Sequence, residues 1–227
     1  MPSVGEPYDL AKAGAEFWHV YQEAFSPSSF NPYASGRFSA RNADPPRAML
    51  YAGATSDCAL WETILRDVVP QAAPPHGVLI PPVADMRIAS LRLKYDAPIL
   101  DLGRVGVRWI AGADLKLRDR IIALTTVSKY TATHKEAARL LAALPRASGF
   151  LWPSKQTGQD DTYVFFQPPI SSDAFEVLQI IPLDSPAGLN LVDQALARAG
   201  MHRIDSDALA ADLEPELPPD LDEDDDL

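Results

Sequence analysis

A chain of 227 residues with 47% hydrophobic and 22% charged content has apolar material for one substantial core, or at most two small ones. Its net charge of −11 is local: nine of the 31 acidic residues fall in the stretch DLEPELPPDLDEDDDL (212–227), leaving 22 acidic against 20 basic residues elsewhere. The nearly neutral body has no dense Lys/Arg stripe, which argues against nucleic-acid binding; no apolar run is long enough for a membrane span; and a lone cysteine, Cys58, excludes an intrachain disulfide.

The opening MPSVGEPYDL lacks the basic region and apolar block of a signal peptide, and one cysteine fits a reducing compartment, so a cytoplasmic protein is expected. AEFWHVYQEAF (15–25) contains a predicted strand. SPSSFNPYASG (26–36) is loop by composition, GRFS (36–39) starts a short strand, and RNADPP (41–46) is loop again. RAMLYAG (47–53) reads as a short apolar strand. Asp57 is the expected N-cap of a helix over about 58–69, which Pro70 closes. The Pro-rich stretch 70–82 is irregular. MRIASLRLKYD (86–96) alternates as a half-exposed strand, and PILDL (98–102) reads as a buried one.

Helical spacing follows over 114–128 and 133–144. SGFLWPS (148–154) and TYVFFQPP (162–169) are strands around the polar loop KQTGQDD, and AFEVLQIIPLD (174–184) is another strand. GLNLVDQALARAG (188–200) is a helix stopped by Gly200. Trp109 and Cys58 are expected in the core, and Asp160–Asp161 at a turn. The order lacks regular βαβ alternation, so the expected class is α+β with a mixed or mostly antiparallel sheet and flanking helices. Residues 1–211 read as one domain. The acidic stretch 212–227 cannot bury enough apolar surface to offset its ordering entropy and is expected to be disordered, serving solubility, masking a basic site or docking a partner.

There is no glycine-rich phosphate loop, HExxH motif or GxSxG elbow. The histidines at 19, 76, 134 and 202 lack metal-ligand spacing, so no metal or cofactor is expected. Glu62 is the informative residue. On a helical wheel Cys58, Trp61, Ile64, Leu65 and Val68 share a face, and Glu62 falls about 100° from its centre. It is either a surface partner of Arg66, worth about 0.3–0.5 kcal/mol, or a carboxylate at the rim of a pocket lined by Tyr51 and Trp61. In the second role it could grip a ribose hydroxyl or stabilise a developing cation.

The order Gly36-Arg37-Phe38-Ser39, then Tyr51-Ala52-Gly53, then Ala59-Leu60-Trp61-Glu62-Thr63, with eleven residues from Tyr51 to Glu62, resembles the RES domain family. The later Gly149-Phe150-Leu151-Trp152-Pro153-Ser154 adds to it, and the resemblance spans about 15–185. The family is named for an arginine, a glutamate and a serine. The resemblance implies an ADP-ribosyltransferase-like fold and a bacterial toxin that consumes NAD as substrate. Such a toxin is an NAD glycohydrolase or an NAD phosphorylase with inorganic phosphate as co-substrate, and a helix-turn-helix antitoxin neutralises it. Alternatives are a mono-ADP-ribosyltransferase acting on protein, an exported effector with an immunity protein, and an inactive RES-like interaction module.

By the same resemblance Arg37, Tyr51, Glu62 and Ser154 are the catalytic positions. Glu62 would stabilise an oxocarbenium-like cation, and Arg37 would offer a donor fork to pyrophosphate or phosphate. Tyr51 would give a flat face and a hydroxyl, and Ser154 a donor to phosphate or carboxamide. His19 stands where many members carry an arginine. It is either structural or, as in diphtheria-toxin-like transferases, a holder of the adenosine ribose. Ser128 is either a helix-terminus serine or a second substrate-binding residue.

Overall fold

The computed structural model describes residues 7–70, 76–103, 105–127 and 130–204. Ser128 and the acidic stretch 212–227 lie outside these. The strands are β1 (Asp9–Ala11), β2 (Glu16–Gln22), β3 (Ala48–Gly53), β4 (His76–Val78), β5 (Met86–Leu93), β6 (Ala97–Asp101), β7 (Gly149–Pro153), β8 (Asp161–Gln167), β9 (Phe175–Pro182) and β10 (Met201–Arg203). The helices are α1 (Ser56–Trp61), α2 (Val107–Ala111), α3 (Leu115–Leu124), α4 (Thr131–Ala143) and α5 (Pro186–Arg198). Eight strands form one sheet in the order β1-β6-β7-β8-β3-β2-β5-β9. All its pairings are antiparallel except β6 with β7, and β4 and β10 form a separate parallel pair. The α+β class with a mixed sheet is therefore observed. No helix among the described residues is long and apolar enough to cross a membrane.

Strand alternation divides the core. Met49 of β3, Phe150 and Trp152 of β7, and Val164 and Phe166 of β8 pack with Val107, Ile121, Leu124, Ala137 and Leu140 of α2–α4. Their neighbours in sequence, Leu50, Ala52 and Phe165, join Phe17, Leu91 and Phe175 in a second cluster. A third cluster sets Val20 and Ile88 against Leu60 of α1 and Val192, Ala195 and Leu196 of α5. The strand over 86–96 is thus covered on both faces, not half-exposed: Ile88, Ala89, Ser90 and Leu91 are all buried.

Three local expectations fail for identifiable reasons. GRFS is a turn, not a strand. Phe38 sits at φ 56°, a left-handed conformation that costs a non-glycine residue about 1–2 kcal/mol. Full burial of its ring against Phe150 and Trp152 offsets that cost. Trp109 is 66% exposed, because five-residue α2 turns Val107 and Ala111 inward and residue 109, two positions from each, outward. Helix α1 ends at Trp61, capped at its start by the Thr55 hydroxyl rather than by Asp57; Asp57 instead pairs with Arg198 of α5. Beyond Trp61 the Thr63 hydroxyl donates to the Ala59 carbonyl (2.6 Å) and the chain continues as turns. The short elements β1, β4, β10 and α2 carry no periodicity that would announce them. Gly200 does stop α5, at φ 71°.

Candidate active site

Strand β3 pairs with β8 along its whole length, and β2 pairs likewise with β5. Between them, β2 and β3 share one register pair, Trp18↔Gly53. The space between the two strands borders a cavity of about 750 Å³, lined by Trp18–Gln22 on one side and Met49, Tyr51 and Ala52 on the other. His19 takes the place of a missing ladder bond: its Nδ1–H donates to the Tyr51 carbonyl at 2.5 Å. A carbonyl only accepts, so the proton belongs on Nδ1 and Nε2 is the acceptor nitrogen. Burial pulls the His19 pKa down to about 4, so the ring is neutral at pH 7. It stacks on Tyr21 with centroids 5.7 Å apart.

The phenol end of Tyr51 lies against Gly36. A Cβ at position 36 would come within 2.9 Å of the Tyr51 ring, and the phenol donates to the Arg37 carbonyl at 3.1 Å. Burial raises the phenol pKa far above its ordinary range, so Tyr51 stays protonated. Gly36→Ala is expected to destabilise the protein by about 1–2 kcal/mol. It should also shift Tyr51 fluorescence or ring NMR signals, whereas an unmoved Tyr51 in a variant of full stability would contradict the packing.

Glu62 is the C-cap of α1, its N–H bonded to the Cys58 carbonyl, and it borders the cavity half-buried. Ser154, at the end of β7, is 2% exposed. Its hydroxyl accepts from the Gln156 and Thr157 N–H groups, both at 3.2 Å, and donates to Glu62 Oε1 at 2.7 Å. With its acceptor side occupied, the hydroxyl proton is aimed at the carboxylate, which is held in one orientation. Ser154→Ala would leave two backbone donors without this acceptor and release the carboxylate. The expected result is a loss of about 1–2 kcal/mol in thermal or denaturant unfolding.

Arg37 does not present the open fork the sequence suggested. It is 6% exposed, and its two terminal nitrogens donate to the carbonyls of Thr125 and Val127, the latter at 3.0 Å, just past the end of α3. This caps the negative end of that helix with a cation. The guanidinium also lies 5.6 Å from the ring centroid of Tyr130, another cavity residue. Among the described residues, the buried donors Arg37 Nε and Trp152 Nε1 have no hydrogen-bond partner, and both residues line the cavity.

Arg66 departs from its expected place too. Because α1 stops at Trp61, the i,i+4 geometry with Glu62 is lost, and Arg66 bonds Asp67 instead while lining the cavity. Trp61 packs into the α1–α5 cluster and is not among the lining residues. Aromatic lining from the 25–33 loop, Phe25, Phe30 and Tyr33, was not anticipated, although aromatics in a Pro/Ser-rich loop are an available signal. Cys58 is buried and its thiol pKa is pushed up to about 11, chiefly by desolvation, as befits a core residue. No cluster of potential metal ligands occurs among the described residues.

One cavity thus collects His19, Arg37, Tyr51 and Glu62, with Ser154 behind Glu62. A family model for the RES domain matches residues 10–185. The chain belongs to the RES domain family. The matched stretch contains the expected span of 15–185 and carries every element that builds the cavity. Among solved structures, the M. tuberculosis MbcT–MbcA toxin–antitoxin complex is similar at 10% identity and a TM-score of 0.48, over 82% of this chain and 92% of that one. No curated protein matches the sequence. In this RES domain the arginine, glutamate and serine positions stand differently: Glu62 faces the cavity, Ser154 orients it, and Arg37 ties down the end of α3.

Proposed function

We propose that this RES domain cleaves the nicotinamide–ribose bond of NAD, releasing nicotinamide and leaving an ADP-ribose product on phosphate or water. The observation that carries the reading is the Ser154–Glu62 hydrogen bond, which fixes a carboxylate at the edge of a cavity of about 750 Å³. That volume falls in the range of ligand sites, about 300–1,000 Å³. As the C–N bond breaks, its electron pair leaves with the pyridine nitrogen and positive charge builds on the ribose carbon. A prepositioned carboxylate lowers the energy of that charge without reorganising. The acceptor oxygen then bonds to the ribose carbon, and the proton it carries in the case of water passes to solvent.

Neutral His19, with Nδ1 tied to Tyr51, offers Nε2 as acceptor for a ribose hydroxyl. Protonated Tyr51 keeps that part of the wall uncharged. Consumption of NAD inside a bacterial cytoplasm is toxic, so the reading includes a cognate antitoxin of helix-turn-helix type that blocks the cavity. Purified protein should release nicotinamide from NAD, faster when inorganic phosphate is added. A folded protein that releases none under either condition would overturn the reading; labelled protein bands in its place would identify a protein acceptor.

A further inference from the structure

Resting on the NAD reading, we propose that Arg66, rather than Arg37, receives the phosphate groups of the substrate, and that Asp67 holds the Arg66 site until a substrate arrives. Among the described residues, Arg37 and Arg66 are the lysine or arginine side chains lining the cavity. A bidentate grip on phosphate uses either the two terminal guanidinium nitrogens or Nε with one of them. In Arg37 the terminal pair is engaged by the Thr125 and Val127 carbonyls, and Nε is buried. Neither edge is open.

Arg66 has the opposite character. Its side chain is 40% exposed, and Nε and Nη2 both point at Asp67 Oδ2, each at 3.2 Å. The edge that would grip a phosphate is therefore formed and already holds an anion. Asp67 is 82% exposed, and a pair between two solvated side chains is weak enough for a phosphate to displace. One turn of chain ties this cation to the carboxylate. The Ser154 hydroxyl that orients Glu62 accepts from Gln156 N–H, and the Gln156 amide reaches the Arg66 carbonyl at 3.5 Å.

The cavity lining thus contains an oriented anion and a displaceable cation, four residues apart in sequence. The ligand that matches has a positive centre on its ribose and phosphates beyond it, which is the charge layout of a phosphorylated nicotinamide riboside. Nicotinamide riboside without phosphate should be a poor substrate.

The test is calorimetric binding of ADP-ribose, inorganic pyrophosphate and adenosine to the full chain at low salt, for wild type, Arg66→Gln and Asp67→Asn. Arg66→Gln is expected to weaken ADP-ribose and pyrophosphate by about 10–100-fold, the loss of a charge-assisted hydrogen bond, and to leave adenosine unchanged. Asp67→Asn should tighten ADP-ribose by about two- to fivefold. ADP-ribose binding that ignores Arg66→Gln overturns the proposal while the NAD reading stands. An equal loss for adenosine also overturns it, since the effect would then be on the cavity and not on phosphate. Asp67→Asn binding no tighter than wild type removes the role given to Asp67. If wild type does not bind ADP-ribose, which is a product and not the substrate, the NAD reading is decided by nicotinamide release alone. Pyrophosphate then decides: binding that depends on Arg66 upholds the anion site, and none overturns it.

Discussion

Glu62→Gln is expected to lower nicotinamide release from NAD by about 10²–10³-fold, the usual loss on removing one prepositioned electrostatic contact to a transition state. Glutamine has the same shape and can still accept the Ser154 hydroxyl, so the 2.7 Å contact and the surrounding turn are retained. Only the charge is lost, and the charge matters most when the ribose becomes cationic. The fall should therefore lie in kcat and equally in kcat/KM, with KM for NAD close to wild type. Unfolding free energy should stay within about 1 kcal/mol, because the variant keeps a hydrogen-bonding partner in place. Steady-state kinetics with a melting curve on the same preparation checks both halves. A folded Glu62→Gln variant of undiminished kcat would remove Glu62 from the chemistry. A variant whose loss is confined to KM would make it a ground-state binding group.

The contrast between Glu62 and Arg37 shows what the sequence could convey. The strand over Met49-Leu50-Tyr51-Ala52 was legible as a short apolar run, and strand geometry then sends its alternate residues into different clusters. The class followed from element order. The cavity was half legible: the family-like motifs named Tyr51 and Glu62, and both line it. They could not reveal partners. Ser154 meets Glu62 across 92 positions, and Arg37 meets the Thr125 and Val127 carbonyls across 88 and 90. No local pattern encodes contacts at that range, so a motif arginine that looked like a phosphate fork turned out to hold a helix end.

Where local pattern misled, burial was achieved by another conformation. Ile64 and Leu65 continue the apolar face of α1 and are buried, yet the backbone there is turn and not helix. The wheel identified the right buried residues and the wrong path between them. That difference has consequences for the site. A helix running to 69 would have placed Arg66 one turn from Glu62, where the two side chains pair with each other. The break at Trp61 sends Arg66 to exposed Asp67 and leaves the Glu62 carboxylate to Ser154.

Acidification from about pH 6.5 to 4 is expected to cost the wild type on the order of 2–3 kcal/mol of stability that a His19→Gln variant does not lose. The native pKa of His19 is lowered from 6.5 to about 4 by desolvation, partly opposed by the hydrogen bond to Tyr51. Below pH 6.5 the unfolded chain therefore takes up a proton that the folded chain refuses, and unfolding gains free energy as pH falls. The sign follows: the His19 contribution is fully present above the unfolded value and is lost progressively down to the folded one. Its limit is about 1.4 kcal/mol per pH unit, reduced because the ring borders the cavity and is screened in part. Glutamine can donate to the same Tyr51 carbonyl but does not titrate, so it keeps the bridge between β2 and β3 without the pH slope. Denaturant midpoints for both proteins between about pH 4 and 7.5 give the comparison, with all other titrating groups shared. Parallel curves would mean that His19 titrates as it does in the unfolded chain, and that burial does not hold its ring neutral below pH 6.5. A gap that opens only below pH 6.5 would establish that ring as neutral at the pH where the cavity has to accept a ribose hydroxyl.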